Sequence, residues 1–204
     1  NSIMSSNNRL MKIYTDTILD TKELLNPEQM DNDITNHIKE NLKNHYEKKC
    51  YKQYGYINKI YKVDKIEETI INSEDILSSQ QFKVKFSCQL FFIINEREII
   101  CKMDRITPKI NTAINGPVKV IIPPDLINQQ KFLLINDSLR IKETTELLKK
   151  DMYVKILIKG NIFSDKSNEI TAKGILLDLA TPEEIKEYYD VDNNDDEINN
   201  YEII

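Results

Sequence analysis

The side chains able to do chemistry in this sequence are few and scattered. His37 and His45 stand two helical turns apart with no second ligand at metal spacing, and they read as ordinary helix histidines. Glu96, Glu98 and Asp104 could supply an acid–base pair, but Arg and Lys interleave with them, which is the pattern of a solvated face. Cys50, Cys88 and Cys101 are odd in number and have no CxxC spacing, so they point to a reducing compartment and to neither a disulfide framework nor a metal site. Four glycines, Gly55, Gly116, Gly160 and Gly174, cannot spell a GxGxxG turn or a phosphate-cradling loop, and no GxSxG or HExxH occurs. No catalytic residue, metal or cofactor is therefore expected. What remains is binding chemistry. Lys102, Arg105, Lys109 and Lys119 offer phosphate contacts, which give weak, salt-sensitive, sequence-blind affinity. Tyr54 and Tyr56 flank Gly55, a pair of amphipathic rings around a residue that lets the backbone turn or approach closely.

The elements that must carry these residues follow from periodicity. Phe82, Val84, Phe86, Cys88, Leu90 and Phe92 share one parity, with Lys83, Lys85, Ser87 and Gln89 on the other, so residues 82–94 form a long strand with one buried and one wet face. Asn26, Pro27 and Gln29 combine a cap, a first-turn proline and a capping-box partner, and predict a helix start. Met30, Ile34, Ile38, Leu42 and Tyr46 then form one apolar stripe over about five turns. Residues 10–19, 51–63 and 66–71 read as strands, followed by a polar loop over 72–81. After the long strand, further strands are expected at 98–103, around Ile106, Ile110 and Ile114, at 118–122, from 152, and at 170–176. Asn115-Gly116-Pro117 is a turn and Pro123-Pro124 a stop. A helical turn is expected at 125–128, a long surface loop at 136–151, and a short helix at 182–189.

These elements predict an α+β first half, a helix packed on an antiparallel sheet, and an all-β five-stranded barrel of the OB type. The expected divisions are a disordered N-terminus at 1–9, an N-terminal domain at 10–94, a barrel at 95–180, and a short helix with an acidic tail at 181–204. The stretch 1–10 is polar and lacks the apolar core of a secretory signal, and the longest apolar run, 90–94, is far too short to span a bilayer. The net charge of −5 is unevenly spread: from residue 183 onward nine carboxylates face one lysine, whereas residues 1–182 carry 27 basic and 24 acidic side chains. The abundance of Ile, Asn and Lys suggests an AT-rich genome, a protist or a large DNA virus.

Lys49-Cys50-Tyr51-Lys52-Gln53-Tyr54-Gly55-Tyr56-Ile57, placed straight after a long helix, resembles the stalk subunit of multisubunit RNA polymerases, the family of the seventh subunit of eukaryotic RNA polymerase II and its archaeal E-prime counterpart. That family carries G-x-C-x-x-x-F/Y-G-F/Y-I/V here; Lys48 stands where it often has Gly. The likeness continues through the 82–92 strand, residues 95–103, Gly116-Pro117-Val118-Lys119-Val120-Ile121-Ile122, Leu126-Ile127 and Gly174. The resemblance implies a tip domain and an S1-type OB barrel in a non-catalytic subunit. It also implies docking on the large polymerase subunits near the clamp, a small helical partner subunit, and a barrel near the RNA exit path that can touch nascent RNA. Tyr54, Gly55 and Tyr56 are the residues expected at the docking tip, and Lys102, Arg105, Lys109 and Lys119 those expected to meet RNA phosphates. Such a subunit works inside the cell: in the host cytoplasm or virion if viral, in the nucleus if cellular. Departures concern the barrel, where Lys109-Ile110 replaces a common Gly–Phe pair and residues 95–122 lack any aromatic for base stacking. The rival reading is a free-standing S1/OB protein binding single-stranded RNA in processing or translation.

Overall fold

The structure, a computed structural model, describes residues 10–52, 54–69, 80–135 and 138–189 and divides into two compact units. The expected loose N-terminus at 1–9, most of the 72–81 loop and the acidic tail from 190 lie outside the described residues. One unit comprises Tyr14–Phe92 with Ser164–Asn168. Its strands β1 (Tyr14–Leu25), β2 (Lys49–Tyr51), β3 (Gly55–Thr69) and β4 (Gln80–Phe91) form an antiparallel sheet in the order β1-β4-β3-β2. Strand β4 alternates as its sequence demands: Phe82, Val84, Phe86, Cys88 and Leu90 are buried, and Lys83 and Lys85 are exposed. Against this face packs helix α1 (Ile34–Tyr46) through Ile38 and Leu42, both fully buried, with Ile34 and Tyr46 at the margin.

Three local expectations in this unit need correction. The signal at Asn26 makes only a 3-10 turn, Pro27–Gln29, in which the Asn26 N–H donates to Gln29 Oε1 at 3.3 Å. The α-helix begins at Ile34, because the Asp33 N–H donates to Asp31 Oδ1 at 2.8 Å and holds the intervening chain in a turn. The first strand runs Tyr14–Leu25 and not over 10–19. Two of its inward positions, Thr21 and Glu23, are polar and hide the alternation; Thr21 shares a hydrogen bond with the Tyr46 hydroxyl (3.1 Å), and Glu23 meets His45 Nδ1 at 3.2 Å. The two strands expected over 51–71 are one, β3, whose pairing with β4 slips at Asn58, Tyr61 and Asp64. Each slip inserts an extra residue, which bends the strand and increases its twist. The inserted side chains bond back across the sheet: Asn58 Nδ2 donates to Gln89 Oε1, the Tyr61 hydroxyl to Asp16 Oδ1, and the Ser87 hydroxyl to Asp64.

The other unit comprises Ile93–Phe163 and the described flanks, residues 10–13 and 169–189. Strands β5 (Glu98–Arg105), β6 (Asn111–Asn115), β7 (Val118–Ile122), β10 (Tyr153–Ile162) and β11 (Ile170–Leu179) close a barrel in the order β10-β11-β7-β6-β5. Only β7 and β11 pair in parallel. A three-strand meander with its third strand parallel to the fifth, and its first closing on the fourth, is the OB arrangement. Inward side chains of Ile99, Cys101, Met103, Ala113, Val120, Ile122, Val154, Ile156, Ile158, Ala172 and Leu176 fill the barrel. Ile106 and Ile110 do not belong to β6: Pro108 lies between them, and the Ile110 N–H donates to the Thr107 hydroxyl at 3.1 Å, making a turn instead. The long connection after β7 contains the expected helical turn, Pro124–Leu126, and an unexpected hairpin of β8 (Phe132–Ile135) and β9 (Ser138–Ile141), anchored by buried Phe132, Leu139 and Ile141. Helix α2 (Pro182–Tyr189) packs back through Tyr188, whose hydroxyl donates to the Met11 carbonyl at 3.0 Å.

Gly174 is packed from inside the barrel: a Cβ there would lie 2.5 Å from Ile156 Cγ2, 3.0 Å from Val120 Cγ1 and 3.1 Å from the Leu157 carbonyl oxygen. Gly174→Ala is expected to destabilise the protein by about 1–3 kcal/mol through overpacking, read as a lower urea midpoint at unchanged slope. Glu23 gives a pH test. Burial pushes its carboxyl above the usual range, with His45 pulling the other way. A raised folded-state pKa stabilises fully below the unfolded value near 4.5 and loses that contribution as pH rises through the folded value. Relative to Glu23→Gln, wild type should therefore lose stability as pH rises above about 4.5; parallel melting-temperature profiles for the two proteins would contradict this.

Candidate docking turn and basic surfaces

The turn between β2 and β3 is built from residues with few alternatives. The Tyr54 N–H donates to the Tyr51 carbonyl at 3.2 Å, and Tyr51 pairs with Gly55 across the two strands. Gly55 has φ +143, and a Cβ on it would sit 2.2 Å from the Phe91 carbonyl oxygen, so only glycine fits. Lys48, standing where the resemblance places a glycine, has φ 60, and Lys52 has φ 49. These are left-handed conformations that cost a side-chain-bearing residue about 1–2 kcal/mol each. The turn is braced by Ser164–Asn168: the Cys50 N–H donates to the Ser167 carbonyl (2.6 Å), the Lys166 N–H to the Cys50 carbonyl (2.9 Å), and the Lys52 N–H to Asp165 Oδ1 (2.5 Å).

The rings divide by role. Tyr51 is buried, edge-on to Tyr46 and Phe86, and its hydroxyl donates to the Asp20 carbonyl at 2.6 Å. Tyr56 is also buried, edge-on to Phe91, and packs the sheet. Tyr54 stacks on Tyr51 with centroids 6.0 Å apart and planes 19° from parallel, and leaves 55% of its surface in solvent. Of the three residues singled out in the sequence, Gly55 shapes the turn and Tyr54 presents a surface.

The four basic residues of the barrel are not gathered into one patch. Lys102, Ile114 and Lys119 lie in one row across β5, β6 and β7, so the two lysines stand two strands apart, roughly 10 Å. Lys102 is mostly covered and lies 3.6 Å from Asp151. Arg105 and Lys109 are exposed near the β5–β6 turn. The aromatic missing from 95–122 is supplied from elsewhere: Tyr153 of β10 pairs directly with Lys102, whose ammonium lies 5.9 Å from its ring, and Tyr189 of α2 packs edge-on to Tyr153 at 5.7 Å. The signal for this was the barrel itself, since closure of an OB barrel sets its fourth strand beside its first.

The candidates for other chemistry resolve locally. His37 meets Asp31 at 3.1 Å and His45 meets Glu23. Among the described residues no group of three or more His, Cys, Asp or Glu is placed to hold a metal. Burial pushes the Cys50 and Cys88 thiols up to about 11 and about 12, and Cys101 higher still, far from a reactive thiolate. No described helix is long and apolar enough to cross a membrane.

Comparison with known proteins agrees with this architecture. Residues 24–76 match the family model described as the SHS2 domain found in the N terminus of Rpb7p/Rpc25p/MJ0397. This span includes α1, the β2–β3 turn and all of β3. The chain is 31% identical over 176 residues to a protein of Acanthamoeba polyphaga mimivirus described as DNA-directed RNA polymerase subunit L376, covering 86% of this chain and 88% of that one. With the helix-on-sheet unit, the OB barrel and this near full-length similarity in hand, the chain belongs to the Rpb7-like family of stalk subunits of DNA-directed RNA polymerases.

Proposed function

We propose that the chain serves as a non-catalytic stalk subunit, docking on the large subunits of a DNA-directed RNA polymerase near the clamp and the RNA exit path. The observation that carries this is the presentation of Tyr54. A half-exposed ring stands on a turn fixed by Gly55, by Tyr51 behind it and by three hydrogen bonds to Ser164–Asn168. A rigid aromatic loses little entropy on binding and so makes an effective anchor. A small helical partner subunit and action in the host cytoplasm or virion belong to the same reading. Tyr54→Ala should leave the melting temperature nearly unchanged, since the ring is half in solvent, while weakening association with the polymerase by about 2 kcal/mol. Affinity purification of the tagged chain with mass spectrometry checks this. Recovery of RNA and processing or ribosomal factors without polymerase subunits would instead support a free-standing RNA-binding protein.

Contact of the barrel with nascent RNA is the second part of the reading, supported by Arg105, Lys109 and Lys119 as exposed or half-exposed cations, with Tyr153 beside Lys102. Replacing Arg105, Lys109 and Lys119 together by Ala should lower the slope of log affinity against log salt by about 2 for a single-stranded RNA oligonucleotide, about 0.7 per phosphate contact. An unchanged slope would remove these residues from the RNA path.

A further inference from the structure

The sheet of the first unit brings together three lysines that the sequence keeps far apart. Lys22 and Lys83 face each other directly in the β1–β4 register, both exposed. Lys52 comes from the β2–β3 turn, at the opposite edge of the sheet order, and meets them because the Tyr51 hydroxyl ties that turn to the Asp20 carbonyl of β1. Together with Asp20 and Thr21 the three lysines line one depression of about 330 Å³. Like charges directly opposite on neighbouring strands destabilise the pair, and here Asp20 supplies the one carboxylate of the lining. No ion pair is formed by Lys22, Lys52 or Lys83 among the described residues, whereas the neighbouring Lys62 and Lys65 pair with Asp64 and Glu67. Glu67 also stands opposite Lys83 in the β3–β4 register and acts on it at longer range, as Asp20 does on Lys52.

We propose that this depression is the electrostatic half of the docking surface, taking carboxylate side chains from an acidic segment of the polymerase subunit that Tyr54 meets; the proposal rests on the docking reading above. Lys52 connects the two halves, its ammonium 5.0 Å from the Tyr51 ring on which Tyr54 stacks. The charge on this face is mixed and not a continuous basic track, since Lys62, Lys65 and Lys85 on it are interspersed with carboxylates. Asp16, Asp20, Asp64 and Glu67 lie on the same face of the sheet, and Asp165 sits against the Lys52 backbone. A continuous run of phosphates would pass over these carboxylates, whereas a protein segment can place isolated carboxylates over the lysines alone. Such surface pairs accelerate encounter and fix orientation, and their effect falls with salt.

The test uses the full-length chain and purified core polymerase lacking this subunit, with dissociation constants measured at low and high salt. Lys22→Glu combined with Lys83→Glu should weaken binding on the order of tenfold at low salt and flatten its salt dependence, and the milder Lys22→Gln with Lys83→Gln should fall between. Thermal melts of both double variants confirm folding, and the Gln pair carries the test if the Glu pair misfolds. Tyr54→Ala should weaken binding at every salt concentration. If Tyr54→Ala weakens binding while both lysine pairs bind like wild type, docking stands and the acidic partner is overturned. If neither change matters, the docking reading itself fails and takes this proposal with it. Loss of binding to a single-stranded RNA oligonucleotide by the lysine variants, with core binding intact, would overturn the proposal in favour of a nucleic-acid site.

Discussion

The close approach of Gly55 to the Phe91 carbonyl oxygen constrains the first unit. A Cβ at this point would lie 2.2 Å from that oxygen, so β3 can start where it does only because residue 55 has no side chain. Once β3 starts there, its pairing with β4 is set, and the three extra residues at Asn58, Tyr61 and Asp64 bend it as it runs. Nominally β1 and β2 are the outermost strands of a four-stranded sheet, yet Tyr51 at the end of β2 reaches the backbone of β1. The ring of Tyr51 fills the core beside Phe86 while its hydroxyl satisfies a carbonyl, the arrangement a buried tyrosine requires. The β2–β3 turn, with Tyr54 outward and Lys52 beside β1, is a consequence of that closure.

The barrel solves a different problem. Its edges disappear by closing β5 onto β10 and laying β11 parallel to β7. Gly174 is the close-packing point, where β11 passes Ile156 and Val120 too tightly for a methyl group. Closure also determines which charges stay available. Lys102 is drawn toward Asp151 and Tyr153, and Lys155 is paired with Glu184 of α2 at 2.9 Å. The barrel surface is thus partly neutralised by direct ion pairs, whereas Lys22, Lys52 and Lys83 form none among the described residues and have Asp20 and Glu67 at longer range.

Legibility in the sequence followed the physics of each element. Strand β4 is readable because its alternation holds without a break from Phe82 to Leu90, and α1 because Ile34, Ile38, Leu42 and Tyr46 repeat every four residues. The extent of β1 is hidden in the sequence because Thr21 and Glu23 occupy inward positions, tolerable only with Tyr46 and His45 of α1 above them. The β8–β9 hairpin has no clear sequence signature because its anchors, Phe132, Leu139 and Ile141, are spread through a polar stretch, while Leu133, Leu134 and Ile135 are substantially exposed and obscure the pattern. Of the docking residues, the need for glycine at 55 was visible; that Tyr56 is buried and Tyr54 is not depends on which side of the turn faces Phe91.

By itself, then, the sequence determined the class of each half, the absence of recognisable catalytic motifs and the family to which it is similar, because alternation, helical periodicity and turn chemistry are local properties. Tertiary structure alone decided which charges meet. Lys22, Lys52 and Lys83 are separated by thirty or so residues at each step, and Lys102 and Tyr153 by about fifty. Their proximity comes from strand register and from the closing of a bulged sheet and a barrel. Register is set by the sum of many packed side chains, so no short stretch of sequence records it.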